Sequence, residues 1–492
     1  MLGNRVLRMT LGCLLALLSF GIAQVDSLDV FERANELLQN QQYDDALKAY
    51  EFFVQENPEH HLVPAAKWAI ANVLFVVKKD YHRAALVYQN IISKHPGTGW
   101  EIFSLDRLGS CYEEQDRWGD AARSYESALE KLATPVHSEL APEWNDIFKT
   151  KVIACYRTLG DRLALISIYE KSLEQNPAGR SAPADHFELA GIHLEMKENL
   201  KAAKHYAMVV DRYPLSDYAR RVRTEHGDLL TVQLGYDWTA FSTFERSVEL
   251  SRSGRFDDAS AGFDQVVEAE HTEGMDYAAR FQIELIEFRK TGDAAAFLDR
   301  LRAISSDSPY GFGGIDVDQL FGRLQVIIDA KDAIAANPDD LEAYRSMAST
   351  YYETQAYYPA IEVCKRAVAI EGDNIVVYNI LGYSHMGVRE YDDASDTFGK
   401  LIKLAPNDPN SYDSMAEAQL FRGDTTQAIR FYEKAIAVDA NFTNPYYMLG
   451  EIYHGINQVE LARDYLQKYL ELAPAGYRAD AAQDILERIT EM

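Results

Sequence analysis

The sequence has 492 residues and a formal net charge of −27 at pH 7, with 47% hydrophobic and 25% charged residues. This balance excludes a disordered chain, and the length exceeds what one compact core needs. So negative a surface would repel nucleic acid and anionic lipid, because both are bound through Lys and Arg contacts with phosphates. The charge suits basic partners, and the alternative is that it only keeps a long chain soluble.

The first 23 residues have the composition of a secretory signal peptide. Arg5 and Arg8 precede an apolar stretch from Leu11 to Ile22, which is followed by a small residue. This stretch is shorter than the roughly 20 apolar residues that span a bilayer. We predict cleavage before Gln24 and a periplasmic or secreted protein, with a retained membrane anchor as the alternative.

Helix pairs are predicted between residues 24 and 217. An alanine recurs near the start of each second helix, a tyrosine follows four residues later, and a proline ends the unit. Residues four apart lie on one face of a helix, so this spacing indicates a core stripe. The clearest units carry Ala46, Tyr50 and Pro58, then Ala84, Tyr88 and Pro96, and finally Ala202, Tyr206 and Pro214.

One predicted helix of this segment, around Val73, has almost no polar face. Apolar residues occupy nearly every position from Trp68 to Val77. A helix that is apolar all round is either buried or contacted by a partner. Burial against the segment around Phe31 and Leu38 is the simpler interpretation, and a binding surface remains the alternative.

Three cysteines follow the predicted signal peptide, and this odd number is not a disulfide framework. Cys111 and Cys155 lie at the same place in neighbouring units. Packed helices lie about 8–10 Å apart, whereas a disulfide needs Cα atoms within about 7 Å. Buried packing is therefore favoured, although pairing of these two cysteines is left open.

The spacing becomes irregular between residues 218 and 337. The segment contains degenerate units and, from Ser305 to Asp318, a stretch rich in turn-forming residues. We predict irregular helices here, with a hinge near 305–318. An active site in this region is the alternative, but no recognisable catalytic constellation lies within it.

A period of 34 residues recurs without insertion between residues 338 and 476. It places alanine at the start of each second helix and an aromatic residue at the start of each first helix. These positions are Ala360, Ala394, Ala428 and Ala462, and Tyr344, Tyr378, Tyr412 and Tyr446. Residues 477–492 are predicted to form a helix that caps the last unit.

This pattern resembles the tetratricopeptide repeat family. The resemblance implies an all-α solenoid of antiparallel helix pairs, stacked in a right-handed superhelix of about 10–11 repeats, some degenerate. It also implies protein binding in grooves lined by the first helix of each pair. The junction from Arg212 to Ala219 is similar to inter-repeat junctions of bacterial envelope proteins, which supports a periplasmic setting.

A stripe on the first helices of the C-terminal array is the predicted binding surface. Its aromatic, apolar and acidic residues suit a peptide with apolar and basic side chains. The alternative is that a tightly wound array packs the aromatic residues against one another. The stripe comprises Arg345, Tyr352, Asn379, Tyr383, Met386, Asp413, Glu417, Leu420, Phe421, Tyr447 and Glu451.

Neither a catalytic motif nor a metal or cofactor motif is present in the sequence. We therefore predict a non-enzymatic adaptor in the periplasm or cell envelope, which binds peptides or partner proteins without a cofactor. A soluble subunit of an outer-membrane assembly or polysaccharide export complex is the alternative.

Overall fold

The computed structural model describes residues 25–137, 140–269, 274–308, 312 and 317–491. The predicted signal peptide and half of the turn-rich segment from Ser305 to Asp318 lie outside these residues. The described part consists of α-helices and connecting turns and contains no strand. This confirms the predicted all-α repeat fold.

Contacts divide the chain between Lys171 and Ser172 into two compact units. The described part of the first unit contains seven α-helices and the beginning of an eighth. These are α1 (Val25–Gln39), α2 (Tyr43–Glu56), α3 (Val63–Asn72), α4 (Tyr81–Lys94), α5 (Gly99–Glu113), α6 (Trp118–Leu132), α7 (Ala141–Leu159) and α8 (Arg162–Gln175).

The second unit holds the remaining helices. They are α9 (Ala182–Glu195), α10 (Asn199–Arg212), α11 (Asp217–Leu234), α12 (Thr239–Arg252), α13 (Phe256–Glu268), α14 (Met275–Thr291), α15 (Ala294–Asp307), α16 (Asp318–Ala336), α17 (Leu341–Glu353), α18 (Tyr357–Ile370), α19 (Ile375–Gly387), α20 (Tyr391–Leu404), α21 (Pro409–Arg422), α22 (Thr425–Val438), α23 (Asn444–Gly455), α24 (Val459–Leu472) and α25 (Ala479–Glu491). The predicted domain boundaries at 217 and 337 remain predictions.

The described helices form eleven consecutive pairs, and α11, α16 and α25 stand outside the pairs. Turns of two to four residues join the helices of each pair, and between α3 and α4 the turn is preceded by a π-helical segment over Val73–Val77. Each turn contains one residue with a positive φ angle, which reverses the chain within a few residues. Four of these residues are glycines, at 160, 254, 292 and 423. The other seven are Gln41, Lys79, Asp116, Lys197, Gln355, Arg389 and Asn457.

Small residues let the two helices of a pair approach closely. Gly382 of α19 and Gly450 of α23 lie against Phe398 and Leu466 of the following helices, where an added Cβ would overlap the neighbouring side chain. The alanines and aromatic residues of the predicted core stripe are buried. Neither helix buries enough apolar surface alone, so the pairs stack into continuous cores.

The apolar helix around Val73 is largely buried. Val73 and Leu74 are buried, and Leu74 packs in the same core as Phe31, whereas Val76 and Val77 are 62% and 38% exposed. The backbone here changes to a π-helical turn over Val73–Val77. Burial, the simpler of the two predicted interpretations, therefore holds for one face of the helix.

Cys111, Cys155 and Cys364 are free thiols in the core. Burial raises the pKa of each to about 12, so the thiolate is not formed near neutral pH. The favoured prediction of buried packing without a bridge is confirmed. None of the described helices has the length and apolar character needed to cross a bilayer.

Candidate protein-binding groove

The predicted groove residues lie on the first helices of the last four pairs. Helix α17 carries Arg345 and Tyr352, α19 carries Asn379, Tyr383 and Met386, α21 carries Asp413, Glu417, Leu420 and Phe421, and α23 carries Tyr447 and Glu451. Part of this set forms a row of contacts across the four helices.

The row begins with two tyrosines and continues into a pair of acids. The rings of Tyr352 and Tyr383 lie 6.3 Å apart. The Tyr383 hydroxyl donates a hydrogen bond of 2.9 Å to Glu417 Oε2. Tyr383 also packs edge-on against Phe398 at 5.3 Å, so its ring is held from both sides.

Asp413 and Glu417 occupy neighbouring positions on one face of α21, because they are four residues apart. Asp413 is only 4% exposed, and both its oxygens accept hydrogen bonds from Asn444 Nδ2, at 3.0 and 2.9 Å. Neither carboxylate has a Lys, Arg or His nitrogen within 4.0 Å among the described residues. Two close carboxylates are thus held without a cation.

This arrangement changes the proton affinity of both acids. Burial, together with the nearby Glu417, raises the pKa of Asp413 to about 7, although Asn444 and Arg478 oppose the change. Burial also raises the pKa of Glu417, against the hydrogen bond from Tyr383 and the charge of Arg478. The pair therefore holds a proton at a pH where carboxylates are ordinarily ionised.

Tyr432 of α22 adds a hydroxyl group to this cluster. Its side chain is fully buried, and its hydroxyl has no hydrogen-bond partner among the described residues. Burial and the neighbouring Glu417 and Asp413 raise its pKa far above the usual range. We refer to Tyr383, Asp413, Glu417, Tyr432 and Asn444 as the acidic centre.

Arg478, in the connection before α25, borders the acidic centre. Its guanidinium lies 4.6 Å from the centre of the Tyr447 ring. One nitrogen donates to Asn444 Oδ1 at 3.2 Å. Arg478 thus reaches the rim of the centre through stacking and an amide, without an ion pair to either acid.

Among the remaining predicted residues, Glu451 interacts with Tyr447 at the end of the row, and the others do not join it. Arg345 pairs with Glu342 of its own helix at 3.0 Å, and Phe421, which is 62% exposed, stacks on Tyr391. Met386 and Leu420 pack against hydrophobic clusters, the buried Oδ1 of Asn379 has no partner among the described residues, and Glu451 is exposed.

Family models described as tetratricopeptide repeat match residues 31–97, 104–135, 411–445 and 443–475. The chain contains tetratricopeptide repeats. Such repeats are scaffolds for protein–protein interactions. The groove residues on α21 and α23 lie within the matched segments.

Similar proteins share part of this repeat array. FlbA of Caulobacter vibrioides is 24% identical over 52% of the chain and 37% of its own length. Heat shock protein STI1 of Saccharomyces cerevisiae is 25% identical over 20% of the chain and 17% of its own length. A crystal structure of MamA aligns with 30% of the chain and 86% of MamA, at 26% identity and a TM-score of 0.29. The chain thus spans well under half the length of both curated relatives.

Two residues of the acidic centre, and Arg478 at its rim, were not predicted as binding residues from the repeat pattern. Tyr432 occupies a core position of its second helix, Asn444 begins α23, and Arg478 follows the last tetratricopeptide unit. The repeat spacing gives the position of each residue in its helix. Whether these side chains come close to one another depends on the packing between successive helix pairs. The unusual placement of two acids at Asp413 and Glu417 was the available signal.

A second row of aromatic residues crosses the first helices of the N-terminal unit. Neighbouring ring centres lie between 5.4 and 6.4 Å apart, and most of these rings are half-buried. The row runs through Trp68, Trp100, Phe103, Trp144 and Phe148. It is the counterpart of the row in the C-terminal repeats, but the buried acids beside it, Glu101 and Asp106, are paired with lysines.

One group of three residues has side chains close enough to hold a metal ion, among the residues that the structure describes: His385, Glu390 and Asp393. His385 Nδ1 lies 2.7 Å from Glu390 Oε2, and His193 and Glu198 repeat this contact at 2.7 Å. In both repeats the contact ties the end of a first helix to the start of the second. This repetition explains the histidine and glutamate as structural partners.

Proposed function

We propose that this protein is a non-enzymatic, exported adaptor that holds peptides or partner proteins in the groove of its C-terminal repeats. The observation that carries the proposal is the contact row from Tyr352 through Tyr383 and the acidic centre to Tyr447. It crosses four successive first helices, which an extended ligand would follow. Half-buried aromatic rings beside carboxylates favour ligands with apolar and basic side chains.

The groove is tested with a charge-exchange variant that leaves the buried residues intact. Arg345→Glu with Glu451→Arg changes charge on two first helices and keeps the net charge constant. Lys400→Glu with Glu433→Arg makes the same exchange at exposed sites on the second helices α20 and α22. Both proteins, immobilised beside the parent chain, are used to capture partners from a cell-envelope extract.

The expected result is that the groove variant loses partners that the parent and the second-helix variant retain. Matching circular dichroism spectra and melting temperatures establish that all three proteins are folded. Equal retention by the groove variant would contradict the proposed surface, and would direct attention to the aromatic row of the N-terminal unit.

Export is tested separately. We expect the mature protein to be recovered from the periplasmic or secreted fraction with Gln24 as its first residue, as determined by N-terminal sequencing. An uncleaved chain in the cytoplasmic fraction would contradict the proposed location without affecting the groove.

A further inference from the structure

The acidic centre contains one buried carboxylate, Asp413, and one half-buried carboxylate, Glu417. In the N-terminal unit, buried acids have internal cations: Glu101 lies 2.9 Å from Lys131 Nζ, and Asp106 pairs with Lys151. Asp413 and Glu417 have no such partner within 4.0 Å among the described residues. The difference matters because an unpaired buried charge is costly.

The centre also contains an unused polar group. The Tyr432 hydroxyl is fully buried and has no hydrogen-bond partner among the described residues, although buried hydroxyls are nearly always paired. The two carboxylates and this hydroxyl supply five side-chain oxygens to the acidic centre. Glu417 and Tyr383 are half-buried, so the centre is open to a ligand in the groove.

Arg478 shows how a basic side chain fits at the rim. It stacks on Tyr447 and donates to Asn444, the residue whose other amide atom donates to Asp413. The surface therefore already accepts one guanidinium by an aromatic face and an amide. The carboxylates beside it remain free for a second cation.

We infer that the acidic centre binds a lysine or arginine side chain of the protein held in the groove and releases a proton as it does so. This inference rests on the proposed groove function. The free centre keeps a proton on its acid pair, and the incoming cation takes over the role of that proton. The hydroxyl of Tyr432 then accepts a hydrogen bond from the bound side chain.

The expected pH dependence follows from every charged group that faces Asp413. Glu417 on the same helix favours the proton, as do the buried surroundings, whereas Arg478 and the Asn444 amide favour the carboxylate. Tyr383 on α19 and Tyr432 on α22 are neutral near pH 7, because burial raises their pKa values. A ligand cation lowers the proton affinity, so binding strengthens as pH rises through about 7.

The test uses the full chain and an array of acetylated, amidated 12-residue peptides. Each peptide has apolar and aromatic residues around one central position, which is lysine, arginine, norleucine or glutamate. The best binder is then studied by isothermal titration calorimetry at pH 6 and pH 8, in buffers of different ionisation enthalpy. The variants are Asp413→Asn with Glu417→Gln, and Asp396→Asn as an exposed control on α20.

We expect lysine or arginine peptides to bind at least about tenfold more tightly than norleucine peptides, and about tenfold more weakly at pH 6 than at pH 8. The acid double variant loses both differences and the proton release, while Asp396→Asn keeps them. Peptides that bind without a basic preference or proton release would overturn the inference and leave the groove function standing. If no peptide binds at either pH, both fail.

Discussion

At the scale of single residues, the pKa values of two buried acids, Glu101 and Asp413, are shifted in opposite directions. Glu101 accepts from the Gly97 N–H at 2.7 Å and lies near Lys131 and His137. Burial alone would raise its pKa, but these three groups together lower it. Asp413 lacks an ion-pair partner, and its pKa is raised. The two acids therefore give the stability of the fold opposite pH dependences.

The raised pKa of Asp413 predicts a loss of stability as pH increases. A proton bound more tightly by the folded chain stabilises it below the ordinary carboxyl pKa of 3.8, and this contribution is lost as pH rises through about 7. Asp413→Asn removes the free-energy cost of ionising this buried carboxyl group. We expect its unfolding free energy to exceed that of the parent by on the order of 1 kcal/mol at pH 8, with a smaller gain at pH 5.

Urea denaturation followed by circular dichroism measures this difference, with Asp396→Asn as the exposed control. An equal gain at both pH values would show that the effect arises from packing instead of ionisation.

Glu101 predicts the opposite behaviour. Its lowered pKa contributes stability above the ordinary value of 4.5, and this contribution is lost as pH falls through the folded pKa. Lys131→Met should cost about 1–3 kcal/mol at pH 7, a range reduced because the lysine is partly exposed. Glu101→Gln with Lys131→Met should recover part of the loss. Urea midpoints at pH 7 decide the matter, and a double variant no more stable than Lys131→Met would exclude the ion pair as the cause.

At the scale of helices, close approach within a pair depends on a missing side chain. Gly382 lies against the Phe398 ring, whereas Gly191 in the middle of α9 has open space where a Cβ would stand. We expect Gly382→Ala to destabilise the second unit by about 1–3 kcal/mol through overpacking. Gly191→Ala should be neutral or stabilising by up to about 1 kcal/mol, because alanine favours the helix. Thermal melts of both variants test the pair, and equal melting temperatures would contradict the packing argument.

Helix capping gives a further prediction at this scale. The Asp424 side chain accepts a hydrogen bond from the Gln427 N–H at 3.0 Å, at the start of α22. Asp424→Ala should therefore lower the unfolding free energy by about 1 kcal/mol, whereas Asp424→Ser should restore most of it. Urea denaturation checks the order of the three proteins, and a serine variant no better than alanine would assign the loss to charge.

The helices and their pairing could be predicted from the sequence, and the acidic centre only in part. Ala394 and Phe398 repeat at fixed intervals, because each pair packs against its neighbours by the same contacts. Asp413 and Glu417 were predicted as groove residues from their place on α21. The unpaired hydroxyl of Tyr432 and the approach of Arg478 depend on contacts between successive pairs, which periodicity does not describe.

At the scale of the whole molecule, the net charge destabilises the folded state, and salt weakens this effect. The chain has 76 acidic and 49 basic residues, so its net charge of −27 opposes the folded state by self-repulsion. Raising NaCl from about 10 to about 150 mM shortens the Debye length from about 30 to about 8 Å. We expect the melting temperature to rise by a few degrees, measured by calorimetry. A non-ionic osmolyte at equal osmolarity is the control, and a fall in melting temperature with salt would contradict the expectation.

The turns within the helix pairs have a consequence for engineering. Seven of them place a side chain other than glycine in the left-handed region, as at Lys79 and Asn457. An L-residue in that conformation is destabilised by about 1 kcal/mol relative to glycine. Because glycine has greater freedom in the unfolded chain, a substitution to glycine would recover only part of this free energy. Each of these seven turns therefore offers a substitution to glycine that should raise the thermal stability by a small amount. These substitutions could be made one turn at a time without altering a residue of the acidic centre.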